Sequence, residues 1–114
     1  MPAGGGGAGT AAPAPRMNFR SHHEADEELT EAFEFYETAE PGLSADFLTE
    51  VETGLERIRE QPETWPLVPG STVRRLWIRR FPYGLIYHVH ADEIVLIAVM
   101  HASRRPFYWA GRMD

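Results

Sequence analysis

The chain has no cysteine, no lysine and no long apolar run. The missing cysteine excludes disulfides, thiolate catalysis and the usual zinc sites, and it fits a reducing cytoplasm as the place of action. The missing lysine means that all eleven cationic side chains are arginine. Genomic base composition can produce such a bias, but the consequence is physical either way. Arginine forks grip phosphate or carboxylate with two parallel hydrogen bonds, while no amine is on hand as an acid or base. No stretch approaches the roughly 18 consecutive apolar residues of a membrane-spanning helix. With 114 residues there is room for one domain around one core, and not for two.

The charge that is present is unevenly placed. The total is −6, yet Glu24 to Glu63 holds fourteen acidic residues against Arg57 and Arg59. Trp65 to Asp114 holds seven arginines against Asp92, Glu93 and Asp114. An acidic first half and a basic second half can present one positive surface despite the acidic total. The plainer alternative is two solvated faces that complement each other across the fold.

Residues 1–16 (MPAGGGGAGTAAPAPR) are glycine, alanine and proline with almost no apolar bulk. Such a stretch cannot bury enough surface to offset its ordering entropy, and a disordered tail is expected. It has neither the basic start nor the apolar centre of a signal peptide. The folded domain is expected over residues 17–114, with Met17 as an alternative start.

Asn18-Phe19-Arg20 is a candidate strand. Ser21 and Glu24 have the spacing of a capping box, and the acids from Glu24 to Glu28 favour the positive end of a helix dipole. Ala25, Leu29, Ala32, Phe33, Tyr36 and Ala39 recur at helical intervals, so this first helix packs on one side. Pro41-Gly42 breaks it. A second helix is predicted from about Ser44 to Gln61, with Phe47, Leu48, Val51, Leu55 and Ile58 inside. Gly54 within it suggests a close approach between the two helices. After a proline-rich loop around Trp65, strands are predicted at about Val73–Arg80, Tyr83–His90 and Glu93–His101. In the middle strand Tyr83, Leu85, Tyr87 and Val89 suit the helix-covered face, and Gly84, Ile86, His88 and His90 the open one. The last strand is apolar on both faces and belongs inside the sheet. The sum is one α+β layer pair in the order β-α-α-β-β-β: a helical hairpin on a small twisted, mainly antiparallel sheet. Pattern alone does not place the N-terminal strand.

Three sets of residues could carry chemistry. Arg74, Arg75, Arg79 and Arg80 on one strand, with Arg104, Arg105 and Arg112 after the last, make a candidate docking surface for phosphates or for an acidic partner segment. Strand alternation sends Arg74 and Arg80 to one face and Arg75 and Arg79 to the other. Trp109, seated among the tail arginines and outside any periodic apolar run, is a candidate stacking residue. His101, Arg104 and Tyr108 form the second set: a proton-transfer group, a cation able to stabilise a charged transition state and a phenol. The competing reading makes His101 a locally bonded strand end and Tyr108 a C-terminal clamp. The third set, His88 and His90 on one strand face, has a spacing seen at metal sites but no cysteine or adjacent acid beyond Asp92; polar residues on an open face are the better reading. His22-His23 is weaker still. Neither a metal nor a cofactor is expected.

The segment Arg80-Phe81-Pro82-Tyr83, then Ile86-Tyr87, Asp92-Glu93-Ile94, Ala98-Val99-Met100-His101, Arg104-Arg105-Pro106, Tyr108-Trp109 and Arg112 resembles the ParE/RelE superfamily of toxins from type II toxin–antitoxin and plasmid-stabilisation modules. Upstream, Phe35-Tyr36-Glu37, Pro41-Gly42-Leu43 and Phe47 to Glu52 resemble the family's helical hairpin. The resemblance implies a growth-inhibiting toxin neutralised by a cognate antitoxin, with a homodimer or a heterotetramer with the antitoxin as assemblies. ParE-like members bind DNA gyrase without a catalytic cycle. RelE-like members are metal-independent endoribonucleases that cut messenger RNA on the ribosome with dispersed basic residues and a C-terminal tyrosine. Ribosome-dependent members tend to carry arginine just before the Leu-x-Tyr of the middle strand, where this chain has Gly84. The binding reading is therefore expected to prevail, with Arg74, Arg79, Arg80, Arg104, Arg105, Trp109 and Arg112 as contacts. His101, Arg104 and Tyr108 would be catalytic only under the nuclease alternative. A non-toxic relic acting only as a complex partner is the third reading.

Overall fold

The computed structural model describes residues 17–113; the expected disordered tail at 1–16 lies outside them. The elements run β1 (Asn18–Ser21), α1 (His23–Ala39), α2 (Leu43–Glu60), β2 (Arg74–Trp77), β3 (Tyr83–His90) and β4 (Glu93–His101), with a 3-10 turn at Ala110–Arg112. Two helices thus lie on a four-stranded mixed sheet of order β1-β4-β3-β2. β4, apolar on both faces, is central, and every residue from Ile94 to Met100 is buried. β1 joins it at one edge, parallel, from Asn18 opposite Glu93 to Ser21 opposite Leu96. Among the described residues no helix is long and apolar enough to cross a membrane.

Local signals explain the helix ends, with one shift. The cap of α1 is His22, whose Nδ1 accepts from the Glu24 backbone N–H at 3.1 Å. Ser21, the expected cap, still belongs to β1, and its hydroxyl donates to Asp26 at 2.6 Å. One more ladder residue has displaced the capping box. Between the helices, Gly42 takes φ of 87°, a left-handed conformation that glycine adopts at no steric cost.

Phe47, Val51 and Ile58 of α2 and Ala25 and Ala32 of α1 pack on Leu76, Leu85, Tyr87, Ile94, Leu96 and Val99 of the sheet. The small alanines let α1 approach β4 closely. Gly54 marks a close approach too, but to the sheet and not to α1. A Cβ there would come within 2.9 Å of Leu85 Cδ1 and 3.2 Å of Leu76 Cδ2.

β4 carries a bulge. Ile86 pairs with Ala98 and the next residue, Tyr87, pairs with Leu96, so Ile97 is the extra residue. Ile97 and Ala98 consequently point to the same side, away from the helices. That far side is not an open face. Val95, Ile97, Ala98, Met100 and Ile86 form a second core with Val68, Val73 and Trp109, flanked by Tyr108 and Met113. The chain after β4 folds back across the sheet and seals it.

β2 is also shorter than the residue pattern suggests, ending at Trp77. The Ile78 N–H donates to the Tyr83 carbonyl at 3.0 Å, and Arg80 turns the chain with φ of 71°. Pro82 has no N–H to offer a ladder. Arg79 and Arg80 therefore sit in a tight loop, and the strand alternation expected for them does not hold.

Candidate functional site

The loop 78–82 enters β3 and the loop 102–109 leaves β4, and the antiparallel pairing of those strands sets the two loops side by side. Tyr83 stands opposite His101, and the Ala102 N–H donates to the Pro82 carbonyl at 2.8 Å. Arg79 and Arg80 from one loop are thereby gathered with Arg104 and Arg105 from the other at one end of the sheet. All four are exposed. Arg80 reaches Asp46 of α2 at 3.4 Å, with both side chains about half exposed; a pair in that setting contributes about 0–1 kcal/mol. Among the described residues, Arg79, Arg104 and Arg105 have no carboxylate partner. Arg104 instead lies over the Tyr108 ring, 4.1 Å from its centroid.

Beside this rim is a cleft of about 240 Å³ between α1 and the second loop, lined by Glu28, Glu31, Phe35, Tyr83, His101, Arg104 and Tyr108 among others. His101, Arg104 and Tyr108 are thus brought together, but two of the three are engaged. His101 Nδ1 lies 2.8 Å from Ser103 Oγ and accepts the Ser103 backbone N–H at 3.0 Å, a local bond at the strand end. Its ring meets Tyr83 edge-on at 5.1 Å. The Tyr108 hydroxyl donates to Glu28 Oε2 at 2.7 Å. Burial, and then the Glu28 carboxylate, push the Tyr108 pKa well above the ordinary phenol range. A phenol so held is poorly suited to giving or taking a proton near neutrality.

Glu28 is the organising residue that the sequence reading missed. Its carboxylate accepts the Val99 N–H at 2.9 Å, the Tyr108 hydroxyl and both terminal nitrogens of Arg112 at 3.0 and 3.1 Å. Arg112 also donates to the Ile97 carbonyl at 3.1 Å and lies 3.5 Å from Glu24. The register of β1 stops at Leu96. Glu28 and Arg112 take up backbone groups just beyond that point, where no strand is left to pair with them. A cue was present: Glu28 follows Ala25 by three and precedes Ala32 by four, which places an acid on the apolar stripe of α1.

Arg112 and Trp109 were expected on a docking face, and both lie inside the fold. Only 8% of the Arg112 side chain is exposed, and Trp109 is 3% exposed in the second core. Apolar surface needed covering on the far side of the sheet, and the tail tryptophan covers it. Arg74 is half-buried and donates to the Trp65 carbonyl at 2.8 Å, well engaged in holding the loop. Of the expected contacts, Arg79, Arg80, Arg104 and Arg105 share one exposed rim.

Gly84 lies beneath Trp77. A Cβ there would sit 3.1 Å from two ring atoms of that tryptophan. Trp77 is half-exposed, with the Arg75 guanidinium 5.0 Å from its ring. His88 and His90 have near-parallel rings 6.1 Å apart. His22, His23 and Glu24 have ligand atoms within 4.8 Å of one another, but His22 Nδ1 is used as the helix cap and Glu24 faces Arg112.

Three comparisons bear on this site. The family described as ParE toxin of type II toxin-antitoxin system, parDE, matches residues 19–106. Among solved structures, a chain of the chromosomal ParDE TA system from P. aeruginosa superposes with a TM-score of 0.69 at 14% identity, covering 77% of this chain and 98% of that one. No curated protein matches by sequence. The structural likeness, at that identity, speaks for the fold alone.

Proposed function

This chain belongs to the ParE toxin family of type II toxin–antitoxin systems, and on that premise we propose that it arrests bacterial growth in the cytoplasm by binding DNA gyrase and is neutralised by a cognate antitoxin. The observation that carries the binding reading is the contrast within one site. The groups that could move protons, His101 and Tyr108, are tied to Ser103 and Glu28, while the arginines that could dock a partner, Arg79, Arg104 and Arg105, are exposed and lack carboxylate partners among the described residues. Unpaired guanidinium groups at a rim steer and orient an anionic patch on a partner without needing a catalytic cycle.

The nuclease reading keeps one specific support: His101, Arg104 and Tyr108 line a single cleft. Against it stands Gly84, which supplies no charge and lies against the ring of Trp77, with which a Cβ there would be in tight contact.

Induction of the chain in a bacterial host without the antitoxin separates the readings. Growth arrest with a DNA-damage response, intact transcripts and inhibition of purified gyrase supercoiling is the expected result. Transcripts cut within coding regions, only while they are translated, would establish the nuclease instead. Unaffected growth would leave a relic that serves only as a complex partner.

A further inference from the structure

Among the described residues, three other than glycine have positive φ: Ala91 at 54°, Arg80 at 71° and Phe107 at 62°. Ala91 sits in the two-residue turn between β3 and β4, where such a conformation is ordinary. The other two sit in the adjacent loops that carry the arginine rim. Phe107 is the most strained chemically, because a bulky aromatic in the left-handed region is a rare outlier. Strain of this kind persists where surrounding structure over-determines it, and it gathers at functional sites.

The surroundings of Phe107 do over-determine it. Pro106 precedes it, its carbonyl accepts the Ala110 N–H at 2.9 Å, and Trp109 two residues on is locked in the second core. The strain does not bury the ring completely. Phe107 is 44% exposed, with one side of its ring tilted at 52° against Trp109. The backbone is held in a costly conformation and part of the side chain still faces solvent, separated from Arg104 and Arg105 only by Pro106.

We infer that Phe107 is the apolar knob by which this toxin seats itself on its target, and that the target is a protein surface with an apolar pocket rimmed by carboxylates. The inference rests on the toxin reading above and names the contact residue within it. Charge complementarity supplies the carboxylate rim, since Arg104 and Arg105 adjoin the knob and Arg79 lies on the neighbouring loop. A polyphosphate strand fits less well: Glu28 and Glu31 line the adjoining cleft beside Arg104, and Trp109 already occupies one side of the ring on which a base would stack. An exposed aromatic flanked by arginines is a composition enriched at protein interfaces.

The test exploits a split between stability and function. Phe107→Gly places at that position the residue suited to φ of 62°, so the full-length variant should melt at or above the wild-type temperature. Growth arrest at equal protein level should nonetheless be lost, with binding to purified gyrase weakened roughly 30-fold, the scale of a truncated hot-spot aromatic. Phe107→Asn, which also tolerates a left-handed backbone, should behave alike and serves if the glycine variant does not fold. Arrest retained by either folded variant overturns the inference, as does a wild type that arrests nothing. A wild type that arrests growth without inhibiting gyrase removes gyrase as the target but leaves the knob to be judged on the variants' arrest. Binding of a labelled single-stranded 20-nucleotide RNA or DNA that depends on Phe107 would overturn the protein partner in favour of nucleic acid.

Discussion

At the scale of single residues, Glu28 decides more than any other side chain. It ties α1 to β4 through the Val99 N–H and to the C-terminal segment through Tyr108 and Arg112. Removing one member of a buried ion pair leaves the other charge uncompensated, which typically costs more than the pair itself was worth. Glu28→Ala should therefore lower stability by about 3 kcal/mol in urea denaturation. The double variant Glu28→Leu with Arg112→Met should recover much of that loss, because it removes both charges at once. Tyr87 sets a second expectation. Its hydroxyl donates to the Pro62 carbonyl at 2.6 Å, and burial pushes its pKa from 10.0 up to about 12. The folded pKa exceeds the unfolded one, so this contribution is fully present below pH 10 and is lost as pH rises from 10 toward 12. Tyr108, raised in the same direction, adds to that alkaline decline. Denaturation midpoints measured through this window should fall, and less steeply in Tyr87→Phe than in the parent.

At the scale of elements, periodicity was a good guide to helices and to which strand lies inside, because those depend on a stripe or an alternation that the chain itself carries. Boundaries set by a neighbour were not legible. β2 stops at Trp77 because of a loop closed by the Tyr83 carbonyl, and α1 is capped by His22 because β1 runs one residue further. Gly54 shows the same division: its presence signalled close approach, and only the packed helix showed that the sheet is what it meets. Gly54→Ala should gain helix propensity of about 1 kcal/mol. It should lose more than that, roughly 2 kcal/mol, by forcing Leu85 and Leu76 from well-packed positions. A net loss in thermal stability is the expected outcome, and a gain would mean that Leu85 has room to turn away. The bulge at Ile97 was likewise invisible, since a run apolar on both faces gives no alternation to break.

At the scale of the whole molecule, the acidic helices and the basic second half do not simply neutralise each other. Arg112 is consumed internally by Glu28 and Glu24, and Arg80 meets Asp46. Arg79, Arg104 and Arg105 are left at one end of the sheet. Arg104→Ala combined with Arg105→Ala should relieve growth arrest while leaving the fold intact, since neither side chain forms an ion pair among the described residues. Unchanged arrest at equal protein level would place the docking site elsewhere. A partner held through this rim should also bind more weakly as salt rises, because exposed charges are screened.

By itself, the sequence determined the order of helices and strands, the central place of β4, the toxin family and the concentration of arginine in the second half. The family follows from the resemblance of its motifs, and the rest from local periodicity, punctuation and composition, which any stretch of chain expresses without knowing its neighbours. Tertiary structure alone decided which arginines are free, that Trp109 seals the far side of the sheet and that Glu28 lies among donors from β4 and the C-terminal segment. Such facts depend on which surfaces are left uncovered and which backbone groups left unpaired, and those are fixed only when distant segments meet.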